Sequence, residues 1–232
     1  MKLNSETKDQ DLTSSPNGSK PLVMGSTVFN EDCMTVMARY PDKFFDLAVV
    51  DPPYGAGDAI NPVSSLNKYK AKRGNYKEFD NIVPPDEYFN ELERVSKKWI
   101  VWGGNYFGIS GGVLVWQKNG TAFGEGEVAI CNTHKSVKFF EYTWNGMIQQ
   151  DMKNKEIRIH PTQKPIALYE WILMNYAKEG DVILDTHLGS GSSRIAAHKN
   201  GFEFIGCEID AGYFAAQEAR FKEFTSQLRL FG

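Results

Sequence analysis

The sequence predicts an α/β fold, a largely parallel sheet flanked by helices, and three observations carry that prediction. Strand-length apolar runs end in an acid twice, at Asp51 and at Asp185. Strand-like and helix-like patterns alternate between and beyond them, as chains do when helices cover a parallel sheet. With 232 residues and 41% hydrophobic content there is enough chain to bury a sizeable core, and no apolar run reaches membrane-spanning length.

Taken in order, residues 1–20 hold only Met1, Leu3 and Leu12 as sizeable apolar side chains among polar ones, which reads as a disordered tail without the apolar core of a signal peptide. Residues 21–232 then read as one domain. A short strand at 27–29 precedes a helix at 33–40, where Met34, Val36, Met37 and Tyr40 fall at helical spacings. Leu47-Ala48-Val49-Val50 is a buried strand. Pro84-Pro85-Asp86 opens a helix that turns Tyr88, Phe89, Leu92 and Val95 inward, proline being suited to a first turn. Strands follow at 99–102, 113–116, 128–131 and 138–144, and their close spacing near residue 140 suggests an antiparallel edge. Pro165 starts a helix with Ile166, Leu168, Tyr169, Ile172, Leu173 and Tyr176 on its apolar face. Strands at 181–185 and 203–207, a helix from Ser192, and a last helix from about Ala211 complete the chain.

Two motifs carry chemistry. Asp51-Pro52-Pro53-Tyr54 joins a carboxylate to a stiff backbone and an aromatic face. The acid and the Pro52 carbonyl can both accept from one exocyclic NH₂, while Tyr54 can stack on the ring that bears it. An amino-bearing heterocycle is the implied ligand, although proline after a strand is also ordinary turn punctuation. Far downstream, Asp185-Thr186-His187-Leu188-Gly189-Ser190-Gly191-Ser192 follows a strand and leads into a helix, as nucleoside-binding loops do. Glu208 ends the next strand ~20 residues later, where nucleotide folds place an acid on ribose hydroxyls. The three spaced glycines of a dinucleotide fingerprint are missing, which leaves an NAD-type reading second for this half.

With both motifs in view, the chain resembles the permuted DNA amino-methyltransferases of the β group, from about Ser26 to about Ala219. The segment His160-Pro161-Thr162-Gln163-Lys164-Pro165 is similar to the family motif ahead of the cofactor strand. Thr186, His187 and Ser192 replace the usual proline, phenylalanine and threonine of the cofactor motif, and Glu31 stands where a glycine is common before the acid Asp32. The resemblance implies a Rossmann-like methyltransferase fold in circularly permuted motif order, with the Asp51 and Asp185 strand ends side by side. It implies S-adenosylmethionine as cofactor, with Asp185 near its methionine end, Gly189, Ser190, Gly191 and Ser192 along its backbone, Glu208 at the ribose and Asp32 at the adenine. His187, His160, Thr162 and Lys164 join that cofactor set. Asp51, Pro52, Pro53 and Tyr54 form the catalytic set. Adenine N6 is favoured over cytosine N4, because N4 members more often carry serine where Asp51 stands. The alternatives are N4 methylation, an RNA or protein-amide substrate, and a binding module that has lost catalysis.

A net charge of −3 and an isoelectric point near 5.9 speak against a nucleic-acid partner unless the charges are segregated. They are: no acid lies between Asp58 and Glu78, where Lys68, Lys70, Lys72, Arg73 and Lys77 alternate with Tyr69 and Tyr76. Residues 55–83 therefore read as a DNA-contacting insertion, against the plainer reading of a solvated lysine-rich loop. Residues 145–159 are a recognition loop too short for a recognition domain, so a homodimer would be one way to add surface. Trp144 at its start, and the turn Gly103-Gly104-Asn105, are expected to border the target base. The expected partner is double-stranded DNA, modified by a stand-alone enzyme of phage or bacterial type. Three cysteines without paired spacing and no secretory segment point to a reducing, cytoplasmic setting. Cys131 and His134 make at most half a metal site, and no metal is expected.

Overall fold

The computed structural model describes residues 25–54, 83–120, 125–145 and 148–228. The expected tail and the cluster Lys68, Lys70, Lys72, Arg73 and Lys77 lie outside the described residues. The elements in chain order are β1 (Ser26–Phe29), α1 (Cys33–Met37), β2 (Phe45–Val50), α2 (Asp86–Val95), β3 (Ser96–Trp102), β4 (Gly112–Gln117), β5 (Gly126–Cys131) and β6 (Val137–Glu141). A short ribbon of β7 (Trp144–Asn145) and β8 (Ile148–Gln149) follows, then α3 (Ile166–Tyr176), β9 (Val182–Asp185), α4 (Ser192–Lys199), β10 (Glu203–Cys207) and α5 (Ala211–Leu228).

The main sheet has the order β1-β10-β9-β2-β3-β5-β4-β6. β2 and β9 are parallel neighbours, with Leu47 opposite Ile183 and Ala48 opposite Leu184, so Asp51 and Asp185 end adjacent strands as the permuted order predicts. Alternation along β2 sends its side chains into two cores. Leu47 and Val49 pack with Leu168 and Ile172 of α3 and Ala196 of α4, while Ala48 and Val50 pack with Val36 of α1 and Leu92 of α2. Each fully buried leucine or isoleucine in such a core contributes roughly 1.5–3 kcal/mol, and this burial holds the two strand ends in place.

Helix boundaries follow local chemistry. Asp32 caps α1, accepting from Met34 N and Thr35 N. That helix stops at Met37, shorter than the periodicity suggested. Pro85 precedes α2, which carries Asp86 and Glu87 in its first turn and Arg94 in its last, matching the helix dipole. Pro165 precedes α3, whose first amide, Ile166 N, donates to the Glu156 carboxylate at 3.0 Å.

The antiparallel edge expected near residue 140 lies elsewhere. β6 is the edge strand and runs parallel to β4; the reversed strand is β5, which pairs antiparallel with both β3 and β4. After β5 the chain passes under the start of β4 to reach the far side. Gly111 and Gly112 make room for that crossing: a Cβ on Gly112 would stand 2.2 Å from the His134 carbonyl oxygen, and one on Gly111 2.1 Å from that of Cys131. The strand expected at 138–144 also breaks after Glu141, leaving Trp144 to the separate ribbon.

Candidate active site

A cavity of about 480 Å³ opens at the carboxyl ends of β2 and β9, a size suited to a nucleoside-sized ligand. On one wall stand Asp51, Pro52, Pro53 and Tyr54; on the other stand Thr186, His187, Leu188, Gly189 and Ser190 of the loop after β9. Asp32, His160, Thr162 and Glu208 also line it. Most of the residues chosen from sequence thus converge, brought together from segments more than a hundred positions apart because β2 and β9 are neighbours.

The loop after β9 is organised by its own acid. Asp185 accepts from His187 N at 3.0 Å and from the Ser193 hydroxyl, which closes the turn onto the first residues of α4. Its side chain is buried behind the cavity wall and does not line it, as expected for a group holding the loop's shape. Burial pushes its carboxyl up to about 7, against the opposing bonds from Ser193 and His187 N. Glu208 accepts from Gly189 N at 2.9 Å and from Asp210 N at 2.9 Å, tying the glycine turn to the end of β10. Gly189 takes φ +49 and Gly191 φ +71, left-handed values that favour glycine. His160 packs on Gly189, edge-to-face with Tyr213 at 4.3 Å, and Thr162 Oγ1 stands 3.1 Å from its Nδ1. His187 joins a hydroxyl chain: Tyr88 OH lies 2.6 Å from Thr186 Oγ1, which lies 3.0 Å from His187 Nδ1. Burial depresses the His187 imidazole to about 4, so it is neutral at physiological pH.

Besides Asp185, three of the cofactor candidates stand off the cavity. Gly191 caps α4 and packs on Gln217, and Ser192 bonds Ser190 Oγ at 3.1 Å and Arg220 at 3.0 Å. Lys164 turns the other way, toward Asp51. Only 1% of its side chain is exposed, and its ammonium pairs with Asp51 Oδ2 and, at 3.0 Å, with Glu127 Oε2. Lys118 pairs with the second oxygen of Glu127, and Lys164 Nζ also sits 5.4 Å from the centre of the Trp102 ring. The remaining oxygen of the acid, Asp51 Oδ1, is buried and has no hydrogen-bond partner among the described residues.

Tyr54 is held from the β3 side. Its ring stacks on Tyr106 with centroids 5.1 Å apart and planes 2° from parallel. Gly103, at φ +67, lets it approach, since a Cβ there would stand 2.5 Å from Tyr54 Cδ1. The turn at 103–105 therefore supports the aromatic and helps form a smaller cavity of about 110 Å³ beside Tyr54 and Glu127. Trp144 does not line the target side. It is buried, its Nε1 donates to the Gln163 carbonyl at 3.1 Å, and the Arg158 guanidinium lies over its ring. An indole with one apolar body and one donor is satisfied best inside, where that carbonyl is waiting. The described part of the expected recognition loop, residues 148–159, is pinned by Gln149, whose side chain exchanges 2.8 Å bonds with the backbone of Glu156. Glu156 in turn pairs with Arg220, which also donates to the Ser190 carbonyl.

The sequence reading missed Glu127, Lys118, Tyr106 and Arg220. Glu127 offered one signal, an acid inside the otherwise apolar segment Gly126–Cys131. Cys131 and His134 do stand together, Sγ 3.5 Å from Nε2, and no group of three potential metal ligands occurs among the described residues. Likewise, no helix among the described residues is long and apolar enough to cross a membrane.

Comparison with known proteins agrees with this geometry. Residues 115–219 match the N6_N4_Mtase family model, described as DNA methylase. The chain is 21% identical over 248 aligned positions to the type II methyltransferase M.HinfI of Haemophilus influenzae, covering 85% of this chain and 68% of that protein. It is 22% identical over 236 positions to the type II methyltransferase M2.DpnII of Streptococcus pneumoniae, covering 82% and 87%. In fold it is similar to the M1.HpyAVI–SAM complex, with TM-score 0.54 and 17% identity over 84% of this chain and 98% of that one. It is similar also to the PvuII DNA methyltransferase, cytosine-N4-specific, with TM-score 0.57 and 13% identity over 88% and 91%. The sheet, mostly parallel and flanked by helices, is the Rossmann-like sheet of the methyltransferases. Family model, sequence relatives and fold all point the same way, to similarity with N6/N4 DNA methylases.

Proposed function

We propose that the protein methylates the exocyclic amino group of a base in double-stranded DNA, adenine N6 in preference to cytosine N4. One observation carries the reading: Asp51, which with Tyr54 lines a cavity large enough for a nucleoside-bearing ligand, has a buried carboxylate oxygen without a partner among the described residues. A buried acceptor left unpaired costs roughly 1–3 kcal/mol, a cost that a donor NH₂ relieves. The cofactor wall fits S-adenosylmethionine in chemistry as well as size. Glu208 and Asp32 offer carboxylates to hydroxyl and amino groups, and Pro84, Pro85 and Leu188 offer apolar surface to a ring.

S-adenosylmethionine supplies an electrophilic methyl group on sulfur. The protein's task is to make an aromatic amine attack it, although the amine's lone pair is delocalised into its ring. Asp51 Oδ1 and the Pro52 carbonyl each accept one N–H of the target, drawing the nitrogen out of the ring plane. The carboxylate charge then stabilises the positive charge that grows on nitrogen, a contribution realised mainly in the transition state. Asp51 need not act as a strong base, because the nitrogen becomes far more acidic once alkylated. Tyr54 stacks on the base, which must leave the duplex for its amino group to reach the site. The preference for adenine rests on the resemblance, in which aspartate rather than serine begins the catalytic motif.

Digestion of DNA treated with the protein and S-adenosylmethionine tests the reading. N6-methyladenine is the expected product. N4-methylcytosine alone would overturn the adenine choice, and methyl incorporation into RNA or protein with none into DNA would overturn the substrate.

A further inference from the structure

We infer that Lys164 is a positioning residue for the acceptor acid, its ammonium shared between Asp51 and Glu127 so that one Asp51 oxygen is anchored and the other is left for the target amine. The inference deepens the function proposed above and rests on Asp51 being the acceptor of the target N–H groups. It moves Lys164 from the cofactor side of the site, where resemblance put it, to the acceptor side.

Five segments meet to build the device. Asp51 ends β2, Trp102 ends β3, Lys118 follows β4, Lys164 precedes α3, and Glu127 lies near the start of β5. The reversal of β5 is what makes this meeting possible. In the parallel strands that edge belongs to the last residues, whereas in an antiparallel strand it belongs to the first. The ammonium is therefore fixed by two carboxylates and the face of an indole, with almost no solvent access. An ammonium so held cannot swing to a cofactor without abandoning both acids in a dry site, which is costly.

The sharing has an electrical consequence. A lysine paired with Asp51 alone would anchor the acid but also cancel the negative potential that the amine needs. Glu127 draws on the same ammonium, and Lys118 balances Glu127, so the four side chains sum to zero while Asp51 Oδ1 has no partner among the described residues. The charged and titratable groups facing Asp51 are Lys164, Glu127, Lys118 and Tyr54, with Asp185 and Tyr169 beyond them. Burial pushes the Asp51 carboxyl up, and the Lys164 ammonium opposes it. Burial also acts on Glu127, but the two ammoniums outweigh it and hold that carboxyl low, at about 2. Without Lys164, nothing of equal strength would oppose the rise at Asp51, which would take up a proton more readily. Its carboxyl would then donate where it must accept, and nothing would hold its plane.

The test is the pH profile of single-turnover methyl transfer to DNA, measured beside S-adenosylmethionine affinity, for the wild type, Lys164→Met, Lys164→Arg and Glu127→Gln. Lys164→Met is expected to lose about a hundredfold at pH 7, with the acidic limb of its profile moved up by about one pH unit or more and activity partly recovered at high pH. Lys164→Arg restores the wild-type limb to within a few tenths of a unit, and Glu127→Gln moves it down. Cofactor affinity stays within about threefold throughout. An unmoved limb in Lys164→Met, or loss of cofactor affinity in proportion to loss of rate, would overturn the inference. If Lys164→Met does not fold, Glu127→Gln decides: a lowered limb supports the inference and an unchanged one overturns it. An active Asp51→Ala variant would instead remove the reading on which the inference stands, and that outcome is separate from any result at Lys164.

Discussion

The two acids of the site are held in opposite ways. Asp185 is bound by its own neighbourhood, accepting from an amide two residues on and a hydroxyl eight residues on. Asp51 is bound by an ammonium 113 positions away, itself bound by a carboxylate on a strand that runs backwards through the sheet. The loop after β9 is thus closed first by its own neighbours, with Glu208 and Arg220 added from farther along the chain. The acceptor wall is an assembly of distant charges, made by the sheet. A local motif tolerates variation elsewhere in the chain, whereas an assembled one depends on every segment that meets there.

The largest expected effect comes from breaking the acceptor side. Asp51→Ala should reduce methyl transfer by at least about 10²-fold while S-adenosylmethionine binding, measured by calorimetry, stays near wild type, because no described hydrogen bond joins Asp51 to the donor loop. A parallel loss of binding would show that the two walls are not separable. Next comes the aromatic of the same wall. Gly103→Ala forces an L-residue into the left-handed region, a strain of roughly 1–2 kcal/mol, and its methyl group displaces the Tyr54 ring. A drop in transfer rate of about tenfold or more, beyond what the loss in denaturation midpoint explains, is the expected outcome. Equal rates would mean that Tyr54 does not hold the base.

The smallest effect sharpens the donor side. The Asp185 carboxyl lies near 7 in the folded protein against an ordinary value of 3.8, so the folded state binds the extra proton between those limits. The sign is fixed by that direction: the contribution to stability is complete below about 4 and is lost as pH rises through about 7. Asp185→Asn should remove this dependence, flattening the change in urea midpoint between pH 5 and pH 8 relative to wild type. The same variant disturbs the turn, since an amide cannot accept at both positions. An unchanged pH slope would mean that Asp185 is already ionised when buried.

How much of this was legible before folding differs between the walls in the same sense. Asp185, Gly189 and Gly191 declared themselves through spacing, because a turn that needs left-handed backbone and a helix start must use such residues in that order. Asp51 to Tyr54 pointed to the proposed type of ligand for a similar reason, since two prolines stiffen the backbone beyond the strand end. Lys164 was legible as part of a motif, but its pairing with Asp51 and Glu127 was not. A lysine side chain spans several ångströms, and its direction depends on what lies around it. Glu127 had almost no signature, and Trp144 misled because a tryptophan before an asparagine-glycine pair looks like a pocket rim until Gln163 supplies a buried carbonyl.

By itself, then, the amino-acid sequence determined the alternating α/β pattern, the two acid-ended strands and the chemistry each motif can perform. These are short-range properties, set by backbone stiffness, side-chain period and helix-start geometry. Only the tertiary structure decided which strand runs backwards, which oxygen of Asp51 has no partner among the described residues and which carboxylates Lys164 meets. Those outcomes depend on charges brought together from remote segments, and an ion pair buried among them is defined by the enclosing sheet and helices, not by spacing along the chain.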